Sequence, residues 1–381
     1  MKRTTRIFLT GLCTLLFVTS LLAQNSINVV TSAVPFLRIS PDARAGGMGD
    51  LGVATSPDVN SQFYNVAKYA FSTNPTGIGL TYTPWLKDLG LNDVFLASLA
   101  GYYKLDESQA ISGSLRYFSL GNIQFTDNLG NDLNSFRPRE VSVDAGYSRI
   151  LSDRLSLGVS LRYINSNLAG GQAIGGVSYK PGNAVAGDIG IYYNTLSDDG
   201  SGISLGAAFT NLGSKISYTS DAAQKDFIPA NLSIGAVYTS VSNEVNKLSF
   251  GLDIHKLLVP TPPLLGDSAG LAQYRSKSVV ASWFSSFGDA PGGFGEELRE
   301  FYFSAGGEYT YNDQFSVRAG YFYEDKEKGN RQYFSLGAGF KYSSLAFNFS
   351  YLIPSGNGVN RNPLSNTIRF GLVFDLAQPD Y

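Results

Sequence analysis

Strict alternation of apolar and small polar positions recurs through most of the chain. Leu155, Leu157, Val159, Leu161 and Tyr163 alternate with Ser156, Gly158, Ser160 and Arg162, a period of two that places every apolar side chain on one face of a β-strand. The pattern returns from Leu248 to His255, from Phe315 to Tyr323 and from Phe334 to Tyr342. In a soluble sandwich the second face meets water and carries long polar side chains. Here it is Ser and Gly with single charges. Such a face suits a barrel interior, whose wall meets hydrocarbon outside and can approach a filling segment closely inside.

Fourteen strands are predicted, near 76–86, 93–105, 108–119, 138–150, 153–165, 183–195, 202–212, 228–240, 246–256, 300–312, 314–324, 331–343, 344–353 and 366–376. Their lengths are close to the roughly 9 to 11 residues that cross a bilayer at a tilt. The second stands out, because Val94 to Tyr103 is apolar on both faces. Connections alternate between tight turns, as at Asp106–Glu107 and Asn312–Asp313, and long segments rich in Gly, Pro and Asn at 120–137, 166–182, 213–227, 257–299 and 354–365. Short periplasmic turns and long outer loops are the pattern of bacterial outer-membrane barrels. A soluble repeat protein is the alternative, although its units would resemble one another in length and key residues. The expected fold is all-β: a 14-stranded antiparallel transmembrane β-barrel over 76–381, closed by its last strand, with residues 24–75 as a periplasmic or lumen-filling hatch and both chain ends periplasmic.

Composition narrows the function. Charged residues are 16% of the chain, below the roughly 25% of ordinary soluble domains. With 29 Lys and Arg against 31 Asp and Glu, nothing points to a nucleic-acid partner. Lys2, Arg3 and Arg6 precede the apolar stretch Ile7 to Leu22, and Ala23 offers a cleavage point. Residues 1–23 are therefore read as a secretory signal peptide, and the chain as an integral outer-membrane protein. The single cysteine, Cys13, lies inside that stretch, so the mature chain has no thiol for catalysis, disulfides or a Cys-based zinc site.

Ahead of the first strand runs Ser40-Pro41-Asp42-Ala43-Arg44-Ala45-Gly46-Gly47-Met48-Gly49-Asp50-Leu51-Gly52-Val53-Ala54-Thr55, then Asp58-Val59-Asn60-Ser61 and Tyr64-Asn65. Gly47, Gly49 and Gly52 match G-x-G-x-x-G by spacing, but no apolar strand precedes them and no βαβ unit follows. They are better read as close-packing residues in the lumen. The run resembles the N-terminal hatch of barrels related to the long-chain fatty-acid transporter FadL. Within that group the chain most closely resembles the PorV (LptO) family of the type IX secretion system of Bacteroidetes, although Tyr64-Asn65-Val66 stands where relatives often have aromatic-Asn-Pro. The resemblance implies a hatch carrying Arg44, Gly46, Gly47, Gly49, Gly52, Asn60 and Asn65. It also implies a non-enzymatic barrel without cofactor that binds secreted cargo by its C-terminal domain at the translocon SprA and shuttles it to the attachment complex with the sortase-like PorU. Outer-membrane lipid would surround it.

Two further sets of residues bear on function. His255 and Asp253, two apart on one strand, project the same way with Ser249 further down, so a Ser/His/Asp hydrolase is conceivable. Against it, no G-x-S-x-G elbow is present, and with one His in the chain no metal site is expected. Arg116, Asp144, Arg162, Asp188, Glu308, Arg318 and Arg369 all fall on the inward face, where opposite charges would pair and pin the hatch.

The longest loop carries Leu257, Leu258, Pro260, Pro262, Pro263 and Leu264, then Trp283, Phe284, Phe287 and Phe294. So many large apolar residues disfavour disorder and mark a protein contact on the outer side. The alternative is a lid folded over the barrel mouth. A FadL-like transporter of hydrophobic small molecules or lipid remains the competing function. An open lateral gap would favour transport, and a sealed lumen with apolar loops on the rim would favour the shuttle.

Overall fold

The computed structural model describes residues 29–376 apart from 88–89, 127–128, 172, 175–176, 222–223, 244, 264–265 and 356–365; the expected signal peptide and Leu264 lie outside the described residues. Fourteen long strands form one closed sheet: β1 (Thr76–Pro84), β2 (Val94–Lys104), β3 (Gln109–Leu120), β4 (Arg139–Ser152), β5 (Leu155–Asn167), β6 (Gly182–Asn194), β7 (Gly202–Gly213), β8 (Asn231–Ser242), β9 (Asn246–Leu257), β10 (Phe301–Tyr311), β11 (Phe315–Tyr323), β12 (Gln332–Tyr342), β13 (Leu345–Pro354) and β14 (Ile368–Leu376). Each pairs antiparallel with its neighbours in sequence, and β14 closes on β1 from Thr76↔Leu376 to Tyr82↔Phe370. Closure leaves no free strand edge. All fourteen predicted strands are present.

Alternation decides which way each residue faces. On β5, Leu157, Val159, Leu161 and Tyr163 are exposed, whereas Ser156, Ser160 and Arg162 are buried. The apolar exterior continues through Phe250, Leu252, Val317, Leu336, Phe340 and Phe370. Only hydrocarbon can cover so much apolar surface without aggregation. At the tight turn 312–314, Asn312 and Asp313 both have positive φ, 53° and 51°, as a two-residue hairpin turn requires to match strand twist. On the opposite rim the connections are long, and they include the small hairpins Ile123–Thr126 with Asp132–Phe136 and Ala173–Ile174 with Val177–Ser178.

The N-terminal segment threads the ring lengthwise. It forms a 3-10 turn at Pro35–Arg38, the single-turn helix α1 (Ala43–Gly46), and 3-10 turns at Ser61–Phe63 and Val66–Phe71. At one end Val30 packs with Phe227, Leu257, Val259 and Tyr274 on the long-loop side. At the other, Lys104 Nζ donates to Ser72 O at 3.0 Å beside a short turn. The expectation that both chain ends lie on the short-turn side is therefore corrected: residues 29–39 reach the long-loop rim. Apolar burial draws them there. Inward positions near that rim, Val94, Leu96, Phe118 and Ile164, are apolar and enclose Val34, Phe36, Leu37 and Ile39. This cluster also explains why β2 is apolar on both faces.

The topology predicts a labelling result in a mature chain that has no native cysteine. A cysteine replacing the exposed Lys326, on the connection 324–331 at the long-loop rim, should react with an impermeant maleimide in intact cells, and one replacing the exposed Asp106, on a short turn, should not. The reverse pattern would invert the barrel.

Candidate functional site

The inner segment is held by charges that the wall presents through the alternation. Asp42 caps α1 by accepting from Arg44 N at 2.9 Å and Ala45 N at 3.0 Å. From α1, Arg44 donates to Glu308 of β10 at 2.7 Å and Asp58 at 2.9 Å. Glu308 also accepts from Arg318 of β11 at 2.6 Å. Asp50 pairs with Arg369 of β14 and accepts from Tyr333 OH at 2.5 Å. Asp144, Asp188 and Asn211 surround Arg162. That cluster also seals a wall irregularity, because Thr210 and Asn211 of β7 lie opposite the single Asp188 of β6, a bulge whose Asn211 N–H is taken by Asp188 at 2.7 Å. All seven inward charges inferred from the alternation are buried.

The remaining hatch residues pack or bond inside the same segment. Asn60 donates to Asp42 at 2.8 Å and Asn65 to the Ile191 carbonyl of β6 at 2.9 Å. Gly46 lies against Arg369 and Ser350, and Gly47 against the backbone of Gly337, where an added Cβ would stand 2.9 Å from its Cα. Gly49 has φ +70° and a Cβ there would meet Tyr321 O at 2.7 Å, so only glycine fits. Gly52 donates its N–H to Asp253 Oδ2 at 2.8 Å.

That last contact changes the reading of Asp253 and His255. Asp253 accepts from the Gly52 and Val53 amides, while His255 Nδ1 bonds Ser233 Oγ at 2.8 Å and its ring stacks on Tyr302 at 4.8 Å. The two side chains do different structural tasks and no catalytic pair forms. His255→Ala should leave the barrel's activity intact in cells where it is present at normal level. A correctly assembled but inactive variant would contradict this.

Over the long-loop rim, residues 258–300 fold as a lid. It contains α2 (Ser268–Ser276), α3 (Val279–Ser285) and α4 (Phe294–Arg299). Its root is apolar: Leu257, Leu258, Val259 and Pro260 are buried. Its far end is tied by charge, since the buried Lys256 binds Glu297 at 2.7 Å and Glu300 at 2.8 Å, and Lys328 reaches Glu296 and Glu300. At the C-terminal end of α2, Lys215 donates to the carbonyls of Arg275 and Lys277 at 2.7 and 2.5 Å. The predicted contact residues therefore divide. Leu257, Leu258 and Pro260 are spent on the lid's own core, Pro262, Pro263 and Trp283 are half-buried, and Phe284, Phe287 and Phe294 stand out at 75%, 45% and 77% exposure. Val280 and Leu298, exposed as well, were not singled out in the sequence.

Beneath the lid the upper lumen is occupied by the chain itself, whereas toward the short turns a polar cavity of about 450 Å³ separates the hatch from the wall. Phe36 and Leu37 of the inner segment and Ile216 and Ile228 of the loop after β7 occupy the apolar upper chamber, and every adjacent strand pair is bonded. The family model described as "Type IX secretion system protein PorV" matches residues 22–264, more than half of the chain. The chain belongs to the PorV family. It is thereby an outer-membrane component of the type IX secretion system, built on the FadL-like barrel. Among solved structures, the Ralstonia pickettii toluene transporter TbuX is 12% identical, covers 88% of this chain and 97% of its own, and superposes with a TM-score of 0.53. The P. putida toluene transporter TodX is 13% identical over 89% and 99%, also at 0.53. At such identity the likeness shows the fold alone. No curated protein sequence matches the chain. Among the described residues, no group of three His, Cys, Asp or Glu side chains is placed to hold a metal.

Proposed function

We propose that this PorV-family chain is a non-enzymatic docking partner in type IX secretion, which receives cargo through its C-terminal domain at the translocon SprA and passes it to the attachment complex containing PorU. The observation that carries the reading is the pairing of an occupied apolar upper chamber, within a wall whose adjacent strands are all bonded, with a lid that holds Phe284, Phe287 and Phe294 in water. A transporter of hydrophobic molecules needs an apolar chamber with an exit. Here the corresponding volume is occupied by the chain's own Phe36, Leu37, Ile216 and Ile228, which disfavours that alternative. Three large aromatic side chains exposed on one folded loop, rooted by buried ion pairs, fit a protein contact surface instead. Residues 1–23 fit a signal peptide that delivers the chain, and residues 24–75 a hatch that keeps the barrel closed to protein. Affinity capture of the tagged chain from native membranes, followed by mass spectrometry, tests the reading. Recovery of a large translocon barrel and of secreted proteins sharing a C-terminal domain supports it, and recovery of lipid or small hydrophobic molecules alone supports transport.

A further inference from the structure

Arg116 on β3 is buried, with 3% exposure, and a guanidinium keeps its charge at any physiological pH. Its neighbours do not neutralise it. Nη1 donates to the Leu37 carbonyl at 3.2 Å, the guanidinium carbon lies 4.7 Å from the centre of the Phe63 ring, and Nε has no partner. The carboxylates nearby are engaged elsewhere: Asp144 and Asp188 with Arg162, Asp50 with Arg369, and Glu324 with both Arg38 and Arg331. Arg116 is thus a buried cation with no ion-pair partner among the described residues, an arrangement that costs several kcal/mol unless a counter-charge is supplied. Beside it lies a cavity of about 90 Å³ between the inner segment and the wall. Arg38 and Arg331 line it together with Arg116; Tyr64, Ser233 and Asn231 also line it but are already bonded to Ser40, His255 and Ser233, and the one carboxylate on the lining, Asp50, is held by Arg369.

We propose that this cavity binds one small monovalent anion, a halide or a short carboxylate, against Arg116, and that the anion clamps the Leu37–Pro41 stretch of the inner segment to β3. The size sets the class. A cavity of about 90 Å³ holds a few water-sized species, so a fatty acyl chain or a nucleotide is too large. The surroundings favour a single negative charge, because of the three guanidinium groups that line the cavity, Arg38 and Arg331 share Glu324 and Arg116 has no carboxylate partner among the described residues.

The test uses the purified mature barrel in detergent at fixed ionic strength. A ligand that binds only the folded state raises its melting temperature with concentration. Replacing sodium gluconate, whose anion is too large for the cavity, with sodium chloride or bromide should raise the Tm in a saturable way, and the rise should vanish in Arg116→Met. Equal halide responses in the two proteins would overturn the site, as would no response in the wild type. Should Arg116→Met fail to assemble, bromide-soaked wild-type crystals decide: an anomalous peak beside Arg116 supports the proposal, and water alone in the cavity defeats it.

Discussion

Arg369→Met should destabilise the barrel by about 3 to 5 kcal/mol, the usual cost of breaking a buried ion pair from one side. Arg369 is among the largest fully buried side chains of the chain and reaches from β14 to Asp50 of the inner segment. Removing it leaves the Asp50 carboxylate with Tyr333 OH as its remaining side-chain donor, at the edge of a cavity of about 90 Å³ that admits only a few waters. Taking away both charges should cost much less, because no uncompensated ion remains. Asp50 has φ 65°, and asparagine tolerates that left-handed conformation, so Asp50→Asn keeps the backbone while removing the charge. The double variant Asp50→Asn/Arg369→Met should recover most of the stability lost in Arg369→Met. Denaturant titration of the refolded barrel, read by its folded and unfolded mobility on gels, measures all four proteins. If the double variant is as unstable as Arg369→Met, the loss comes from packing of the long side chain and not from the stranded carboxylate.

The barrel itself was legible because lipid outside and small residues inside impose one period on every strand. That logic places Arg116, Asp144, Arg162 and Arg369 on the inward face without any knowledge of their partners. What alternation cannot reveal is which inward group takes which partner. Asp253 and His255 share a face of β9, yet Asp253 is drawn to two backbone amides contributed two hundred residues earlier, and nothing local to β9 encodes that. The direction of the inner segment was hidden for a related reason. Its apolar residues Val34, Phe36 and Leu37 find their complement in positions scattered over β2, β3, β5 and β6, a match made only once the barrel has closed. Within the lid, composition marked an apolar segment correctly as folded. It did not separate residues facing inward, such as Leu258, from those facing out, such as Phe284, because Leu258 lies in irregular chain beyond β9 and the helices that carry Phe284 and Phe294, of seven and six residues, have too little periodicity to define a face.

That separation sharpens the test of the contact surface. Replacing Phe284, Phe287 and Phe294 together by serine should leave a stable barrel in the outer membrane while cargo accumulates inside the cell. Stability should hold because all three side chains are exposed, and surface substitutions away from caps and cores usually stay within about 0.5 kcal/mol. Binding should fall because aromatic anchors buried at an interface typically contribute about 2 kcal/mol or more each when truncated, and every 1.4 kcal/mol is roughly a tenfold change in affinity. Even allowing for non-additivity, the triple variant should lose at least about a hundredfold in affinity for its partner. Trp283 stays in place in this design, since it is half-buried and its loss would loosen the lid itself. A companion variant, Leu258→Ala, attacks the lid from beneath: it empties a fully buried position, should cost about 2 to 5 kcal/mol locally, and should block secretion only if the lid's fold matters. Secreted cargo in the medium and co-purification of the translocon are the two readouts. Unchanged values for both in the triple serine variant would mean that the aromatics contact nothing in secretion, and the lid would then serve only to close the barrel.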